Sequence, residues 1–260
     1  MPVCDPDPRR EYCPPVDDPL GPLLDLPGVA DSVRAARDAV DAVHAHPANR
    51  RGWAVSAAEA SVRAARASAA IDGADVDLPA DGPVTDPLTA GSLRVAESIG
   101  ALLGTWQRAP LQALARLHLL AAADLVPAER DDLLGRPRAD DSVSTRLDLL
   151  AGLVSGGTSV PGPVMVAVVH GELLALNAFG TADGIVARAA ARLTAIGSGL
   201  DPKGLAVPEV AYLRKLPAYR AAAEGFASGE PGGIAAWIKH CCAAIESGAR
   251  EGKSIADAQG

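Results

Sequence analysis

The chain has 260 residues and a net charge of -8; 48% of the residues are hydrophobic, but only three Trp, three Tyr and two Phe are present. This composition excludes a collagen, a disulfide scaffold and a fully disordered chain, and an acidic chain without a Lys/Arg run is a poor nucleic-acid binder. With 53 alanines, the residue with the highest helix propensity, the sequence predicts an all-α fold.

The first 27 residues contain eight prolines and several aspartates, which disfavour regular structure and offer little to bury. We predict that residues 1–27 form a disordered leader. The leader has no apolar stretch of the secretory type, and the longest apolar stretch, residues 164–179, is too short to span a bilayer. The sequence therefore predicts a cytoplasmic protein with no membrane partner and no nucleic-acid partner.

A helical pattern begins at Gly28. Apolar residues recur at intervals of three and four at Val29, Val33, Ala36, Val40 and Val43. A second helix is predicted to open at a capping box formed by Ser56 and Glu59 and to close at Gly73. Residues 74–88 are expected to form a Pro/Asp/Gly loop.

Seven further helices follow, separated by Gly and Pro residues. They are predicted at about residues 89–108, 110–123, 144–154, 160–176, 184–197, 214–227 and 232–250. We therefore expect one helical domain over residues 28–250 and a disordered tail over residues 251–260. The four cysteines lack the spacing of a zinc site or a C-x-x-C redox pair and are expected to be reduced thiols.

The segment from His170 to Arg188 carries most of the functional information. An apolar helix ends in a loop of small residues, and a new helix begins after it, so free amides and the positive end of a helix dipole meet at the loop. The segment resembles the core of Fic domains, whose signature H-P-F-x-[DE]-G-N-[GK]-R-x-x-R follows an apolar helix that carries a His seven residues earlier. Phe179, Gly184 and Arg188 match this signature and would be remnants of the family's nucleotide site.

Three other segments resemble parts of the Fic family and occur in the family's order. Ser68, Asp72 and Gly73 are similar to the inhibitory-helix motif [ST]-x-x-x-E-[GN], with Asp in place of Glu. Residues 114–120 are similar to the helix before the flap, and residues 236–240 to the terminal helix. The resemblance implies a Fic-like helical bundle with an inhibitory-type helix ahead of the core.

The resemblance also implies functions that this sequence has lost. In active Fic proteins the motif His is the general base, the acidic residue binds Mg²⁺, and the first Arg pairs with the outer phosphates of ATP. Asn177, Thr181 and Ile185 stand at these three positions. An amide does not accept a proton near neutrality, and a hydroxyl is a poor hard-metal ligand beside a carboxylate. Asp183 stands at the expected N-cap of the next helix, where its carboxylate would take the free amides and repel a phosphate.

Asp72 and Arg188 are expected to form an ion pair. In inhibited Fic proteins the inhibitory Glu pairs with the second Arg of the motif, and both partners keep their charge here, although Asp is one methylene shorter. We predict that their charged atoms lie within about 4 Å of each other. With no nucleotide to exclude, the pair would tie the early helix to the core helix.

The family's flap, a β-hairpin, corresponds to residues 135–142, which have room for a loop but scarcely for two strands. At most a vestigial flap is expected, with an open groove above Asn177. His118 and His170 lie on apolar helical faces and are expected to be hydrogen-bonded core residues. No metal site is predicted, because no carboxylate cluster accompanies them.

The sequence leaves three functions open. The leading one is a catalytically degenerate pseudo-AMP-transferase that binds an unidentified protein partner or small ligand and needs no cofactor. The second is a divergent nucleotidyl or phosphoryl transferase, which would use ATP and Mg²⁺. The third is a helical scaffold. The small-residue helices permit a homodimer without specifying one.

Overall fold

The computed structural model describes residues 18–75 and 84–259, which form eleven α-helices and no strand. The helices are α1 (Val29–Ala45), α2 (Pro47–Arg51), α3 (Trp53–Ile71), α4 (Pro87–Arg108), α5 (Pro110–Ala122), α6 (Asp141–Gly152), α7 (Gly162–Leu176), α8 (Asp183–Gly197), α9 (Pro208–Arg214), α10 (Leu216–Ala227) and α11 (Pro231–Asp257), with 3-10 turns at Gly21–Asp25 and Ala128–Leu133 and a π-turn at Leu153–Gly157. The all-α prediction is confirmed. Of the helices described here, none has both the length and the apolar character needed to cross a membrane.

Helix α7 is the centre of the packing because apolar side chains surround it on every side. Val164 and Ala167 belong to a first hydrophobic cluster, while Met165 and Val169 belong to a second. A helix that is apolar all round must be covered on all sides. Helices α1, α6, α8, α10 and α11 pack directly against it.

The first cluster packs α1 and α11 with α7. The five apolar residues of α1 that the periodicity picked out are all buried. Trp237 of α11 is fully buried, and its Nε1 donates a hydrogen bond to the carbonyl oxygen of Ala167 (2.8 Å). Gly171 admits the ring, because a Cβ there would lie 2.6 Å from Trp237 Nε1.

The second cluster is built from α4, α5, α6, α7 and α8, with Trp106 as its largest side chain. Helix α8 meets α7 through small residues such as Ala187 and Ala190, both fully buried, which let the two helices approach closely. Ala178 and Phe179, between the two helices, join the same cluster. The loop that carries the predicted site is therefore held at the edge of this core.

Two helix boundaries differ from the prediction. The prediction of a capping box at Ser56 is wrong, because α3 begins earlier, at Trp53. Ser56 Oγ donates instead to Gln259 Oε1 (3.1 Å). The helix predicted over residues 214–227 is α10, which begins at Leu216 after a break at Lys215 and carries a proline near its start, where the missing N–H costs nothing. Helices α2 and α9 were not predicted.

The predicted leader is folded over part of its length. Residues 1–17 lie outside the described residues, whereas residues 18–27 contain a 3-10 turn. The Asp18 carboxylate accepts hydrogen bonds from the backbone N–H of Leu20 and from Ser159 Oγ. For residues 18–27 the prediction of disorder is wrong, because this carboxylate fastens the segment to the turn before α7.

The predicted tail is also folded over residues 251–259, the part that the structure describes. Helix α11 continues to Asp257 and buries Ile255 and Ala256. Gly252 makes this packing possible, since a Cβ at that position would collide with the carbonyl oxygen of Leu205. The prediction was wrong because a short apolar turn after a polar stretch gives no clear helical period.

Candidate functional site

The site loop, residues 177–182, reverses the chain between α7 and α8 by means of three left-handed residues. These are Asn177 (φ 45°), Gly180 (φ 80°) and Ala182 (φ 52°). Asn and Gly adopt this conformation readily, whereas Ala pays roughly 1 kcal/mol for it. The loop thus brings the start of α8 beside the end of α7.

Asp183 is the first residue of α8, and the prediction that it caps this helix is wrong, because the N-cap is Ala182. Its Oδ1 accepts a hydrogen bond from the N–H of Phe179 (2.9 Å). Burial raises the pKa of this carboxyl group, and Oδ2 is buried without a hydrogen-bond partner in the described part of the chain. The carboxylate therefore turns back onto an amide of the site loop rather than onto the amides of α8.

His118 of α5 joins the site loop to the stretch that replaces the flap. The backbone N–H of Gly135 donates to His118 Nδ1 (2.9 Å), so Nε2 carries the proton and donates to Thr181 Oγ1 (3.1 Å). The ring also stacks on Phe179 at 4.2 Å between centroids. Burial lowers the pKa of His118 to about 4. As predicted, it is a hydrogen-bonded core histidine, and it is neutral at physiological pH.

The vestigial flap is a loop tied down by Arg138. Its backbone N–H donates to the carbonyl oxygen of Ala178 (2.8 Å). Its guanidinium donates to the carbonyl oxygens of Leu176 (2.9 Å) and Asn177 (3.0 Å). A cation at these carbonyls satisfies the end of α7 and matches the negative end of its dipole. Sequence reasoning missed this role, because the arginine and the helix end lie on separate elements.

Asp72 and Arg188 form the predicted ion pair. Arg188 Nη2 lies 2.8 Å from Asp72 Oδ1, within the expected 4 Å, and the side chains are 2% and 22% exposed. Ser68 supports the arginine from α3, since its Oγ accepts from Nε (2.8 Å) and its carbonyl oxygen from Nη2 (3.0 Å). Gly73 follows the pair in a left-handed conformation (φ 107°) and ends the α3 segment.

The Asp72 carboxylate also lies directly against the first turn of α8. A Cβ on Gly184 would be 2.6 Å from each of the two carboxylate oxygens. Free amides and the positive end of the dipole make the start of a helix favourable for a negative charge. The carboxylate therefore contacts both this helix start and Arg188.

The three degenerate positions have different surroundings. Asn177 and Thr181 are exposed, whereas Ile185 is 1% exposed and belongs to the second cluster. A side chain at position 185 thus faces the core and not the site loop. Within residues 18–75 and 84–259, no group of three His, Cys, Asp or Glu side chains could hold a metal ion.

Tyr219 of α10 is a second residue that sequence reasoning missed. Its hydroxyl bonds to Nε2 of His170 (2.8 Å) and accepts from Arg188 Nη1 (3.5 Å). His170 is fully buried, and burial together with the charge of Arg188 lowers its pKa well below the ordinary value. The predicted core histidine is therefore linked to the ion pair through a tyrosine, which no sequence pattern connects to either residue.

An open groove of about 430 Å³ lies beside the ion pair. It is lined by Ile71, Asp72, Leu174, Arg188, Tyr219, Arg220, Ala223 and Glu224. The groove borders the end of α3 and one face of α10, and Asn177 does not line it. This groove is therefore distinct from the one expected above Asn177, where Arg138 ties the vestigial flap to the backbone.

Comparison with known proteins supports a likeness of fold. No protein-family model matches the chain, and no curated protein matches it. A crystal structure of a Fic family protein from Desulfovibrio desulfuricans is similar, with a TM-score of 0.65 and 17% sequence identity; the match covers 88% of this chain and 74% of that one. An identity this low speaks for the fold alone. The chain therefore has a Fic-like fold, which its motifs had predicted.

Proposed function

We propose that this protein is a catalytically degenerate Fic-like protein that acts by binding a partner or a small ligand rather than by transferring AMP. The observation that carries the proposal is that its own carboxylates fill both places where a phosphate would bind. Asp183 accepts from an amide of the site loop, and Asp72 lies against Gly184 and pairs with Arg188. Binding an anionic ligand there would require both carboxylates to move.

The side chains present do not fit MgATP. Position 181 offers a hydroxyl in place of a metal-binding carboxylate, and position 185 offers a buried aliphatic side chain in place of an arginine. A general base is also missing at position 177. His118 uses both ring nitrogens in hydrogen bonds, and His170 is fully buried, so neither replaces it.

The groove beside the ion pair is the binding surface that we assign to this function. Ile71, Leu174 and Ala223 provide apolar contacts, while Arg220 and Glu224 provide exposed charges of both signs. A groove that combines apolar walls with a few polar groups is typical of a ligand or peptide site. We therefore expect substitutions at Arg220 and Glu224 to change binding without changing the fold.

A transfer assay distinguishes the degenerate protein from an active transferase. The purified protein is incubated with Mg²⁺ and each labelled nucleoside triphosphate, with and without a cell lysate, and both binding and labelling of protein are measured. We expect neither. Labelling that disappears in Asn177→Ala would contradict the proposal and favour the divergent enzyme.

Freeing the two occupied places provides a positive test. We expect the double variant Asp72→Gly/Asp183→Asn to bind inorganic phosphate in calorimetry, because it releases Arg188 and an amide of the site loop. The matched control is Asp41→Gly/Asp148→Asn, which changes two exposed aspartates and should bind none. Failure of a folded double variant to bind phosphate would show that the carboxylates do not mask an anion site. An arginine at position 185 is left out, because its charge would be buried in the second cluster.

A further inference from the structure

Three buried polar atoms near α8 have no hydrogen-bond partner among the described residues. They are His170 Nδ1, Glu209 Oε2 and Ser92 Oγ, and their residues are 0%, 4% and 2% exposed. A buried polar atom without a partner loses the hydrogen bonds that it makes to water in the unfolded chain, so native folds rarely leave one unpaired. Three such atoms in one region of a native fold indicate a ligand that completes their hydrogen bonds.

Two small cavities adjoin these residues. His170 and Glu209 line the first, while Ser92 and Glu209 line the second, and each offers about 30 Å³ to a water-sized molecule. Arg188 and Arg192 line both cavities. Both cavities are thus lined by Glu209, at the start of α9, together with the two arginines of α8.

Apart from Glu209, the charged groups that line the cavities already have partners, which argues against an ionic ligand. Arg188 pairs with Asp72. Arg192 donates to the carbonyl oxygens of Gly204 (2.7 Å) and Ala206 (3.2 Å), and its Nη1 lies 4.0 Å from Glu209 Oε2. Asp201, which also lines the first cavity, has both oxygens hydrogen-bonded. The ligand must therefore be small, neutral and able both to donate and to accept.

Water meets all three requirements, and the volume of each cavity is sufficient for one or two molecules. We propose that ordered water molecules occupy both cavities and join Glu209 to His170 on one side of α8 and to Ser92 on the other. This would extend the buried polar chain that runs from Asp72 through Arg188 and Tyr219 to His170. The waters would thereby couple α4, α7 and α9 to the helix that carries Arg188.

Magnetic relaxation dispersion of water ¹⁷O counts long-lived internal waters in solution. We expect at least two in the wild-type protein and fewer in Glu209→Met, which removes the shared acceptor and adds apolar volume. The matched control Glu129→Met changes an exposed glutamate and should leave the number unchanged. A wild-type protein without long-lived waters, or an unchanged number in folded Glu209→Met, would overturn the proposal.

A crystal structure of the wild-type protein decides the question even if Glu209→Met does not fold. Electron density for water within about 3.2 Å of both Glu209 Oε2 and His170 Nδ1 is the expected result. Dry cavities, or a direct hydrogen bond from Arg192 to Glu209 that closes the first cavity, would contradict it. Ser92→Ala distinguishes the waters of the two cavities, because it should remove water from the second cavity alone.

Discussion

The contact between Asp72 and Gly184 shows how one residue identity depends on another that is distant in the chain. Glycine in a helix usually weakens it, because it has the most backbone freedom to lose. At position 184 it is required, since any Cβ would meet the carboxylate that neutralises Arg188. The glycine therefore serves the ion pair and not the helix.

Gly184→Ala should destabilise the wild-type protein on the order of 3 kcal/mol, because it displaces Asp72 and leaves a buried guanidinium without its anion. In an Asp72→Ala background the same substitution should be neutral or stabilising by up to about 1 kcal/mol, the helix propensity of alanine. Urea unfolding of the four proteins measures the difference. Gly100→Ala is the matched control, since nothing lies within 4 Å of its added Cβ. Equal costs in the two backgrounds would refute the contact.

At the scale of elements, His118 holds together three segments: α5, the vestigial flap and the site loop. The ring can do so only while Nδ1 is free to accept from Gly135. Protonation would convert that acceptor into a donor and oppose the Gly135 N–H. The geometry of the site loop thus depends on a histidine that stays neutral.

The free energy of unfolding should therefore fall as the pH is lowered from about 6.5 to about 4. In this window the unfolded state binds a proton at His118 that the folded state, with a pKa of about 4, does not bind. A shift of this size corresponds to a loss of up to about 3 kcal/mol. His118→Gln should make the pH dependence shallower in urea titrations, although His170 and His240, whose pKa values burial also lowers, keep part of it. An unchanged slope would refute this role for His118.

The last turn of α11 is a second element that contributes to stability through its tertiary contacts. Ile255 is 2% exposed and packs in a third small cluster with Ala60, Ala64 and Val207. Ile255→Ala should cost about 2–4 kcal/mol in thermal or urea unfolding, the usual range for a buried large-to-small change. Leu149→Ala, at a site 65% exposed, is the control and should cost well below 1 kcal/mol. Similar losses at the two sites would mean that the end of α11 is not part of the core.

At the scale of the whole molecule, α7 belongs to both large hydrophobic clusters. Neither cluster can be exposed without uncovering a face of this helix, which is apolar on every side. The two clusters should therefore unfold as one cooperative unit.

The tryptophans provide a direct measurement of this cooperativity. Trp237 lies in the first cluster and Trp106 in the second, and both are fully or almost fully buried. The exposed Trp53 is replaced by Phe in two proteins, one of which keeps only Trp106 and the other only Trp237. In each protein, the urea midpoint measured by tryptophan fluorescence should equal the midpoint measured by circular dichroism. Fluorescence and circular dichroism transitions that separate would show that the clusters unfold independently.

The sequence by itself predicted the fold class and most of the helices, because both follow from local patterns. The helix propensity of alanine, a hydrophobic period near 3.6 and the positions of Gly and Pro each act over a few neighbouring residues of the chain. The ion pair between Asp72 and Arg188 was also predicted, but only because both residues match positions of a family motif. The loss of the family's functional residues at positions 177, 181 and 185 was likewise inferred from the family motif.

The tertiary structure alone decided which atoms meet. Arg138 reaches the end of α7, Tyr219 joins His170 to Arg188, and the carboxylate of Asp183 turns back to Phe179 instead of capping α8. The folded segments at residues 18–27 and 251–257 likewise depend on contacts with distant parts of the chain. Asp183 and Phe179 are only four residues apart, but their hydrogen bond forms because the left-handed residues of the site loop turn the chain back. No local pattern encodes the contacts of Arg138, Tyr219 and the two folded end segments, because each joins residues far apart in the chain, and the packing of the helices alone sets the distance between them.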